Sequence, residues 1–243
     1  MEDFWLERTE LLIKKSNLEK LRNKHVLIIG LGGIGSFAAE FIARSGINQI
    51  TLIDGDVFDV TNKNRQLTAL NSTIGKNKAS VLADRIKDIS SDIKINVLQE
   101  FVVPERVWEI LEQYKPDIVL ECIDSLSPKT EWIIACLRKK IKVITHLGAG
   151  GKMDPSKVKV SSLDVTHNCK LGHYLKKRLK SKGVSCKKVR AVFSEELQNK
   201  NALKLTNGLN FKKSYYGTNS YMPALFGLFG AAEAIRYLLL DKK

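Results

Sequence analysis

The chain has 243 residues, 40 Lys plus Arg against 26 Asp plus Glu, and a formal net charge of +14. Its 44% hydrophobic content excludes a disordered chain, and no apolar run reaches the roughly 18 residues that a membrane span needs. We therefore expect one large globular domain or one domain with an appendage. The N-terminus lacks the basic and apolar regions of a secretory signal, so we expect a cytoplasmic protein.

The positive charge is concentrated in the second half of the chain. Residues 1–150 hold 21 basic and 20 acidic side chains, net +1, whereas residues 151–243 hold 19 and 6, net +13. A field of one sign attracts polyanions, which favours a nucleic-acid partner over the alternative of a solvated lysine-rich face. Residues 165–194 contain no acidic residue, and seven of their nine basic residues are the candidate contacts: Lys176, Lys177, Arg178, Lys180, Lys187, Lys188 and Arg190.

Strand and helix patterns alternate through the first 150 residues. The apolar run His25–Ile29 ends at a glycine cluster, and a helical pattern then begins at Ile34. The patterns that follow predict strands at Gln49–Ile53, 93–98, 117–120 and 142–145 and helices at Lys78–Ile89, 104–113 and 129–140. Alternation of this kind predicts an α/β fold, a Rossmann-like doubly wound and mostly parallel sheet, over residues 1–150.

Residues 151–243 have a different rhythm and form the predicted basic C-terminal part, continuous with the first. We predict strands at 158–163 and 189–193, a basic helix at 171–179 and a mobile loop at about 199–220. The apolar stretch 221–240 approaches the length of a membrane span. Because Glu233 and Arg236 lie inside it, we predict instead a helix packed on the domain or on a second protomer.

The glycine cluster is the first motif with a chemical meaning. Gly30, Gly32, Gly33 and Gly35 lie between a strand and a helix, where backbone amides and the helix dipole favour a phosphate group. Asp54 ends the next strand and is placed to accept hydrogen bonds from a ribose. These features fit NAD as well as ATP.

The segments further along the chain favour ATP. A triphosphate carries more negative charge than a dinucleotide, and its transfer requires Arg, Lys and Mg²⁺ around the developing charge. Arg65 and Lys78 supply cations, Asn62 a neutral donor, and Asp124 follows a strand at the edge where ligands bind in open α/β sheets. Each residue taken singly is equally consistent with a surface salt bridge or a helix cap.

Taken together, these motifs resemble a known family. GLGGIGS, DGDV with TNKNRQ, GKNK and ECIDS match, in order and spacing, the ThiF/MoeB and ubiquitin-activating superfamily of adenylating enzymes. The resemblance implies that the glycines hold phosphates, Asp54 the ribose and Asp124 the Mg²⁺ ion. It assigns nucleotide contacts also to Asp56, Asn62, Arg65 and Lys78, and a catalytic role to Arg65, Lys78, Asp124 and Arg8, the last reaching the ATP of a partner protomer in a homodimer.

Within this superfamily the chain resembles the branch of tRNA threonylcarbamoyladenosine dehydratases (TcdA, also called CsdL). The matching segments in the second half include residues 145–158, with GAGGKMDP, and residues 220–227. The resemblance implies ATP-dependent cyclisation of threonylcarbamoyladenosine through a carboxyl-adenylate, with tRNA held by the seven basic residues. The alternative is activation of the C-terminus of a ubiquitin-like sulfur carrier, whose activators usually carry two CxxC pairs. This chain has none.

The resemblance requires no protein nucleophile. Cys122, Cys136, Cys169 and Cys186 therefore need no catalytic role, although some relatives cooperate with a cysteine desulfurase, which leaves a sulfur-accepting cysteine as an alternative. His25 is expected to be structural. His146 follows a strand beside the second glycine segment and is a candidate to face the site.

Overall fold

Seven strands form one sheet in the computed structural model, which describes residues 4–205 and 214–240. The spatial order of the strands is β3-β2-β1-β4-β5-β7-β6, and every neighbouring pair is parallel except β6 with β7. The strands are β1 (His25–Ile29), β2 (Gln49–Ile53), β3 (Lys94–Leu98), β4 (Ile118–Glu121), β5 (Lys142–His146), β6 (Val158–Ser162) and β7 (Arg190–Ser194). The predicted Rossmann-like, doubly wound fold is confirmed.

Helices cover both faces of this sheet. β1 is buried over its whole length, and its alternate side chains enter two different cores: Val26 and Ile28 one, Leu27 and Ile29 the other. A strand buried on both faces reads as a continuous apolar run, which is how HVLII appears in the sequence. The main helices are α1 (Glu7–Ile13), α2 (Lys15–Arg22), α3 (Gly35–Ala43), α4 (Lys78–Ile89), α5 (Pro104–Tyr114), α6 (Leu126–Arg138), α7 (Lys170–Ser181) and α8 (Tyr221–Leu239).

The direction of chain progression reverses between β1 and β4. From β1 the chain builds outward to β2 and β3, and it then returns to place β4 on the other side of β1. Ligands in open α/β sheets bind in the crevice at such a switch point, outside the carboxyl ends of the strands. A ligand is therefore expected to bind at the segments that follow Ile29 and Glu121.

The second half of the chain contributes to the same sheet. β7 pairs with β5 in parallel, and β6 pairs with β7 in antiparallel orientation at the edge. The sheet is therefore continuous across residue 150, where the basic half begins.

The segment 199–220 differs from the predicted irregular loop. Lys200–Ala202 forms a 3-10 turn, and the short strands β8 (Leu203–Leu205) and β9 (Ser214–Tyr216) pair in antiparallel orientation. Strands of three residues are too short to produce a readable alternation, so the sequence pattern missed them. The central part of the predicted loop, residues 206–213, lies outside the described residues.

Helix α8 is the one helix among the described residues that is long and apolar enough, by length and composition, to cross a membrane. Half of the residues in its most apolar 18-residue stretch are buried inside the protein, where the helix packs on α3 and on β5, β6 and β7. Glu233 accepts hydrogen bonds from Arg190 at 2.8 Å and from Arg236 at 3.0 Å. The helix thus packs as a core element, as its internal charges predict.

Candidate nucleotide-binding and active site

The glycine loop between β1 and α3 combines tight packing with an open centre. A Cβ atom on Gly35 would lie 2.0 Å from the Gly30 carbonyl oxygen, and one on Gly30, whose φ is +83°, would lie 2.9 Å from the Cys122 carbonyl carbon. These two glycines are therefore required by the turn itself. A Cβ on Gly32 would meet only the Gln66 amide, at 3.7 Å, so this position is open. Helix α3 has no side-chain N-cap, so no capping side chain competes with an anion at its N-terminus, although the Ser36 N–H donates to the Gly32 carbonyl at 3.1 Å.

Asp54 connects the end of β2 to this loop. Its Oδ2 accepts the backbone N–H of Leu31 at 2.6 Å, and its Oδ1 accepts that of Asp56 at 2.9 Å. Burial raises the pKa of Asp54, although the Asp56 amide and the Lys78 charge act in the opposite direction. A carboxylate offers about four acceptor sites, so two remain for the hydroxyls of a ribose.

Arg65 reaches the loop from the segment that follows β2, and Asn62 lies in the turn just before it. A Cβ on Gly33 would lie 3.2 Å from the Arg65 carbonyl oxygen and 3.1 Å from the Pro223 side chain, so both segments pack closely against Gly33. The Arg65 guanidinium donates to the Thr61 carbonyl at 2.9 Å and to the Asn64 amide oxygen at 2.8 Å. Asn62 is buried and caps its own turn by accepting the N–H of Asp59. The structure thus brings Arg65 to the glycine loop, whereas the Asn62 side chain is engaged in its own turn.

Lys78 stands at the start of α4 with its ammonium directed at the same region. Its Nζ lies 2.6 Å from Oδ2 of Asp56, and its side chain is almost fully buried. The Asn77 side chain caps α4 by accepting the N–H groups of Ala79 and Ser80, which fixes the helix start. A buried ammonium paired with an exposed carboxylate can exchange that carboxylate for a phosphate, because both are anionic acceptors.

Asp124 follows β4 and precedes α6, beside the segment that Gly30 contacts. Over residues 4–205 and 214–240, no group of three His, Cys, Asp or Glu side chains is placed to hold a metal ion. Mg²⁺ at nucleotide sites is typically held by one or two carboxylates together with substrate phosphates and waters. A single carboxylate next to the glycine loop fits that ion, provided that a nucleotide supplies further oxygens.

A buried polar network supports the Asp124 segment, and the sequence analysis missed it. Glu121 Oε1 accepts the N–H of Ile123 at 2.8 Å, and Oε2 accepts the Thr145 hydroxyl at 2.6 Å. The Lys129 ammonium forms an ion pair with Glu121 and donates to the carbonyl of His146 at 2.9 Å. The Glu121, Lys129 and Thr145 side chains are completely buried. One cation thus connects the end of β4, the first turn of α6 and the end of β5.

His146 does not face the glycine loop. Its Nδ1 donates to the Glu121 carbonyl at 3.0 Å, and its Nε2 is buried without a hydrogen-bond partner against Gly230 of α8, where a Cβ would lie 2.0 Å away. Burial lowers the pKa of His146 to about 4, so the ring is neutral near pH 7. His25, as expected, is structural, bridging the Tyr114 carbonyl and the Thr51 hydroxyl.

Three of the four cysteines lack the features of a nucleophile. Cys122 and Cys136 are buried, and burial raises the pKa of both thiols, which disfavours the reactive thiolate. Cys169 is the exception: it is buried, but its Sγ caps the N-terminus of α7 by accepting the N–H of Gly172 at 3.4 Å, and the Lys152 ammonium interacts with it electrostatically. A helix N-terminus and a nearby lysine are both found around reactive thiols. Burial also raises the pKa of the Cys186 thiol.

The seven predicted polyanion contacts divide into two groups. Lys177, Lys180, Lys187 and Lys188 are exposed on α7 and on the turn that follows it. The other three have partners inside the protein: Lys176 donates to the carbonyls of Asp164 and Thr166, Arg178 to the Ser127 hydroxyl at 2.7 Å, and Arg190 to Glu233. Because Ser127 lies three residues after Asp124, the Arg178 bond places α7 next to the candidate site.

Arg8 is not brought to this site within one chain. It is exposed on α1, which packs against α2 and the preceding 3-10 turn, Phe4–Leu6. A surface cavity of about 290 Å³ lies nearby, lined by Trp5, Arg44, Arg85, Asp88 and Ile89, and contains none of the predicted nucleotide-binding residues. The candidate nucleotide-binding groove is instead the region along the glycine loop, where Gly32 is open and Asp54, Arg65 and Lys78 lie.

Comparison with known proteins identifies relatives of this arrangement. The ThiF family profile matches residues 6–243. The chain is 34% identical over 241 residues to the tRNA threonylcarbamoyladenosine dehydratase of Bacillus subtilis (strain 168), covering 96% of this chain and 94% of that protein. It is also similar to the Sulfur carrier protein ThiS adenylyltransferase of Escherichia coli (strain K12), at 31% identity over 137 residues, but this match covers only 56% of the chain and 54% of that protein.

Solved structures give a similar result. The crystal structure of E. coli tRNA N6-threonylcarbamoyladenosine dehydratase, TcdA, in complex with ATP superposes with a TM-score of 0.87 at 36% identity and covers 98% of this chain and 96% of that one. The complex of the same protein with AMP superposes with a TM-score of 0.87 at 35% identity and the same coverage.

Proposed function

Because this chain belongs to the ThiF family, we propose that it is an ATP-dependent enzyme that cyclises threonylcarbamoyladenosine in tRNA. The observation that carries the proposal is the extent of the likeness. Relatives named for this activity match nearly the whole chain, including its basic half, and a solved relative of this name holds ATP. We propose that the protein works in the cytoplasm as a homodimer.

The proposed reaction activates a carboxylate. The threonyl carboxylate of the modified adenosine attacks the α-phosphorus of ATP, and pyrophosphate leaves with the electrons of the broken P–O bond. The carbamoyl group of the same side chain then closes on the acyl carbon, and AMP leaves carrying one carboxylate oxygen. The nucleoside thereby loses the elements of water. Both reacting groups belong to one substituent, so proximity supplies much of the acceleration and no protein nucleophile is needed.

Each part of the groove has a proposed task. Gly32, Gly33 and the amides at the start of α3 bind phosphate, held in shape by Gly30 and Gly35, while Asp54 accepts ribose hydroxyls. Asn62, Arg65 and Lys78 contact the triphosphate, with Lys78 exchanging Asp56 for phosphate oxygens. Asp124 holds Mg²⁺, which would neutralise phosphate charge. Arg8 reaches the groove of the partner protomer.

Activation of a sulfur-carrier protein is the second candidate, and it is favoured only by the partial match to the ThiS adenylyltransferase. It receives less support, because the chain lacks the CxxC pairs usual in such activators and burial disfavours the thiolates of Cys122, Cys136 and Cys186. A sulfur-accepting role for a cysteine is likewise not needed by the proposed chemistry.

The two candidates differ in the substrate that triggers AMP formation. In the presence of Mg²⁺, we expect the protein to form AMP from ATP only when tRNA carrying threonylcarbamoyladenosine is added. A carrier protein ending in Gly-Gly should not trigger AMP formation. Asp124→Asn should abolish AMP formation, and the matched surface variant Asp92→Asn, whose carboxylate is exposed beside β3, should not. If AMP forms only with the carrier protein and not with the modified tRNA, the protein is a sulfur-carrier activator and the proposed tRNA reaction is wrong.

A further inference from the structure

The β8–β9 pair forms a small hairpin with two different faces. Lys204 and Tyr215 are cross-strand partners, and so are Leu203 and Tyr216. Because side chains alternate along a strand, these two pairs lie on opposite faces of the ribbon. Tyr215 and Lys204 are exposed, the former by 48%, whereas Leu203 and Tyr216 are partly buried.

The buried face fixes the hairpin on the second glycine segment. A Cβ on Gly150 would lie 2.8 Å from the Cβ of Tyr216, so only glycine permits this approach. The backbone N–H of Gly151 donates to Gly217 at 2.8 Å, and the N–H of Asn199 donates to Gly151, also at 2.8 Å. The hairpin is therefore anchored by its base, and its outer face remains exposed.

The hairpin borders the nucleotide groove. The Asn64 amide donates to the carbonyl of Thr218 at 3.1 Å, and the neighbouring Arg65 lines Gly33. Tyr215 is three residues from Thr218, at most about 10 Å of extended chain. The exposed ring of Tyr215 thus lies near the site proposed to bind ATP.

The chemistry of the substrate indicates what would meet this face. The related enzyme is named for N6-threonylcarbamoyladenosine, in which the reacting substituent is attached to N6 of the base. The modified adenosine must present this substituent to ATP. Enzymes that act on a base take it out of the helical stack, at the lowest cost where the strand is already unpaired. We therefore expect the modified adenosine to lie in an unpaired part of the tRNA, with other unpaired bases beside it.

We propose that the Tyr215–Lys204 face of the hairpin binds an unpaired base that flanks the modified adenosine. Unpaired RNA is typically bound by aromatic side chains that stack on bases, with a nearby cation on the phosphate. Tyr215 provides the ring and Lys204 the ammonium, which makes no ion pair within the described part of the chain. This inference rests on the proposed function and adds to it a determinant for single-stranded RNA, separate from the basic helix α7.

A binding experiment separates stacking from attraction to phosphates. The probes are a labelled stem-loop RNA with an unpaired adenosine loop and a fully paired duplex with the same number of phosphates. Wild-type protein should prefer the stem-loop. Tyr215→Leu should weaken stem-loop binding about tenfold, the loss of one stacked base, and leave duplex binding unchanged. Tyr215→Phe, which keeps the ring, should bind as the wild type does.

Two further variants sharpen the test. Lys204→Gln should weaken binding and reduce its salt dependence. Tyr114→Leu is the control: it makes the same change in a tyrosine at the end of α5, beside the first residue of β1 and so at the amino ends of the strands, and it should not alter the preference. Equal effects of Tyr215→Leu on both RNAs, or no effect on either, would overturn the proposal.

Turnover of modified tRNA by the wild-type protein tests the proposed function separately. A protein that keeps a Tyr215-dependent preference for the stem-loop, yet converts no modified tRNA, would refute the proposed reaction and still support this RNA-binding face.

Discussion

At the scale of single residues, a buried ion pair between Glu121 and Lys129 supports the end of β4, beside the candidate site. The glycines, Asp54 and Arg65 stand at fixed spacings within one contiguous pattern, so the sequence identifies them and the fold assembles them. Glu121 and Lys129 have no such spacing signal, since a lysine at the start of a helix is usually solvated. Only the packing of β4 against α6 and β5 shows that it is buried.

The buried ion pair makes a clear stability prediction. Lys129→Met removes the cation and leaves the Glu121 carboxylate buried without compensation, which should lower the free energy of unfolding by about 3 kcal/mol. The double variant Glu121→Gln/Lys129→Met removes both charges and should recover most of that loss. Urea unfolding of the three proteins measures both effects. If the free energy of unfolding of Lys129→Met lies within about 1 kcal/mol of the wild-type value, Glu121 and Lys129 do not form a charged pair.

His146 should make stability depend on pH. Its pKa is about 4 in the folded protein and about 6.5 when unfolded, so between these values the unfolded state binds more protons. The free energy of unfolding is therefore unaffected by this histidine above about pH 6.5 and decreases as the pH falls toward 4. The decrease is on the order of 2 kcal/mol between pH 7 and pH 5. Unfolding free energies of wild type and His146→Asn across this range measure it. The slope should be smaller in the variant, and equal slopes would contradict the assignment.

At the scale of elements, prediction succeeded where periodicity was strong. The strands from β1 to β7 and the helices from α3 to α8 fall within a few residues of their predicted positions. The helices α1 and α2 were not predicted, because they are short and carry a mixed pattern of apolar and charged residues. The β8–β9 hairpin was interpreted as a loop for a similar reason, since tertiary contacts with Gly150 and Gly151 define it.

The close contact between α8 and α3 depends on a residue without a side chain. A Cβ on Gly227 would lie 2.5 Å from the Ile34 carbonyl oxygen and 2.9 Å from the Ala38 amide nitrogen. Gly227→Ala should therefore force the helices apart and lower the free energy of unfolding by about 2 kcal/mol. Ala232→Ser, which also adds one heavy atom but on the exposed face of α8, should be nearly neutral. Denaturant unfolding compares the two, and equal effects would refute the close contact.

At the scale of the whole molecule, the sequence shows where the positive charge is concentrated, and the fold shows which of these basic side chains are exposed. The net charge of +13 on residues 151–243 is read directly from the composition. The sequence does not show that Lys176, Arg178 and Arg190 are engaged within the protein while four lysines project from α7 and the turn after it. Side-chain partners distant in sequence decide this, and no local pattern encodes them.

These four lysines predict the salt dependence of tRNA binding. Replacing Lys177, Lys180, Lys187 and Lys188 by Gln should weaken binding and reduce the slope of log K against log salt by about 0.7–0.9 for each lost phosphate contact. The same neutralisation of four exposed residues elsewhere, Lys15, Lys87, Lys94 and Arg138, is the control. Equal slopes for the two quadruple variants would show that tRNA does not lie on α7.

The proposed reaction is tested most directly by the mass of the modified nucleoside. Protein, ATP and Mg²⁺ are incubated with tRNA carrying threonylcarbamoyladenosine, the tRNA is digested to nucleosides without base, and the products are separated by mass. We expect the modified nucleoside to lose one water in the presence of ATP, and Arg65→Ala to prevent this loss. An unchanged nucleoside mass, from protein shown to bind ATP, would contradict the account.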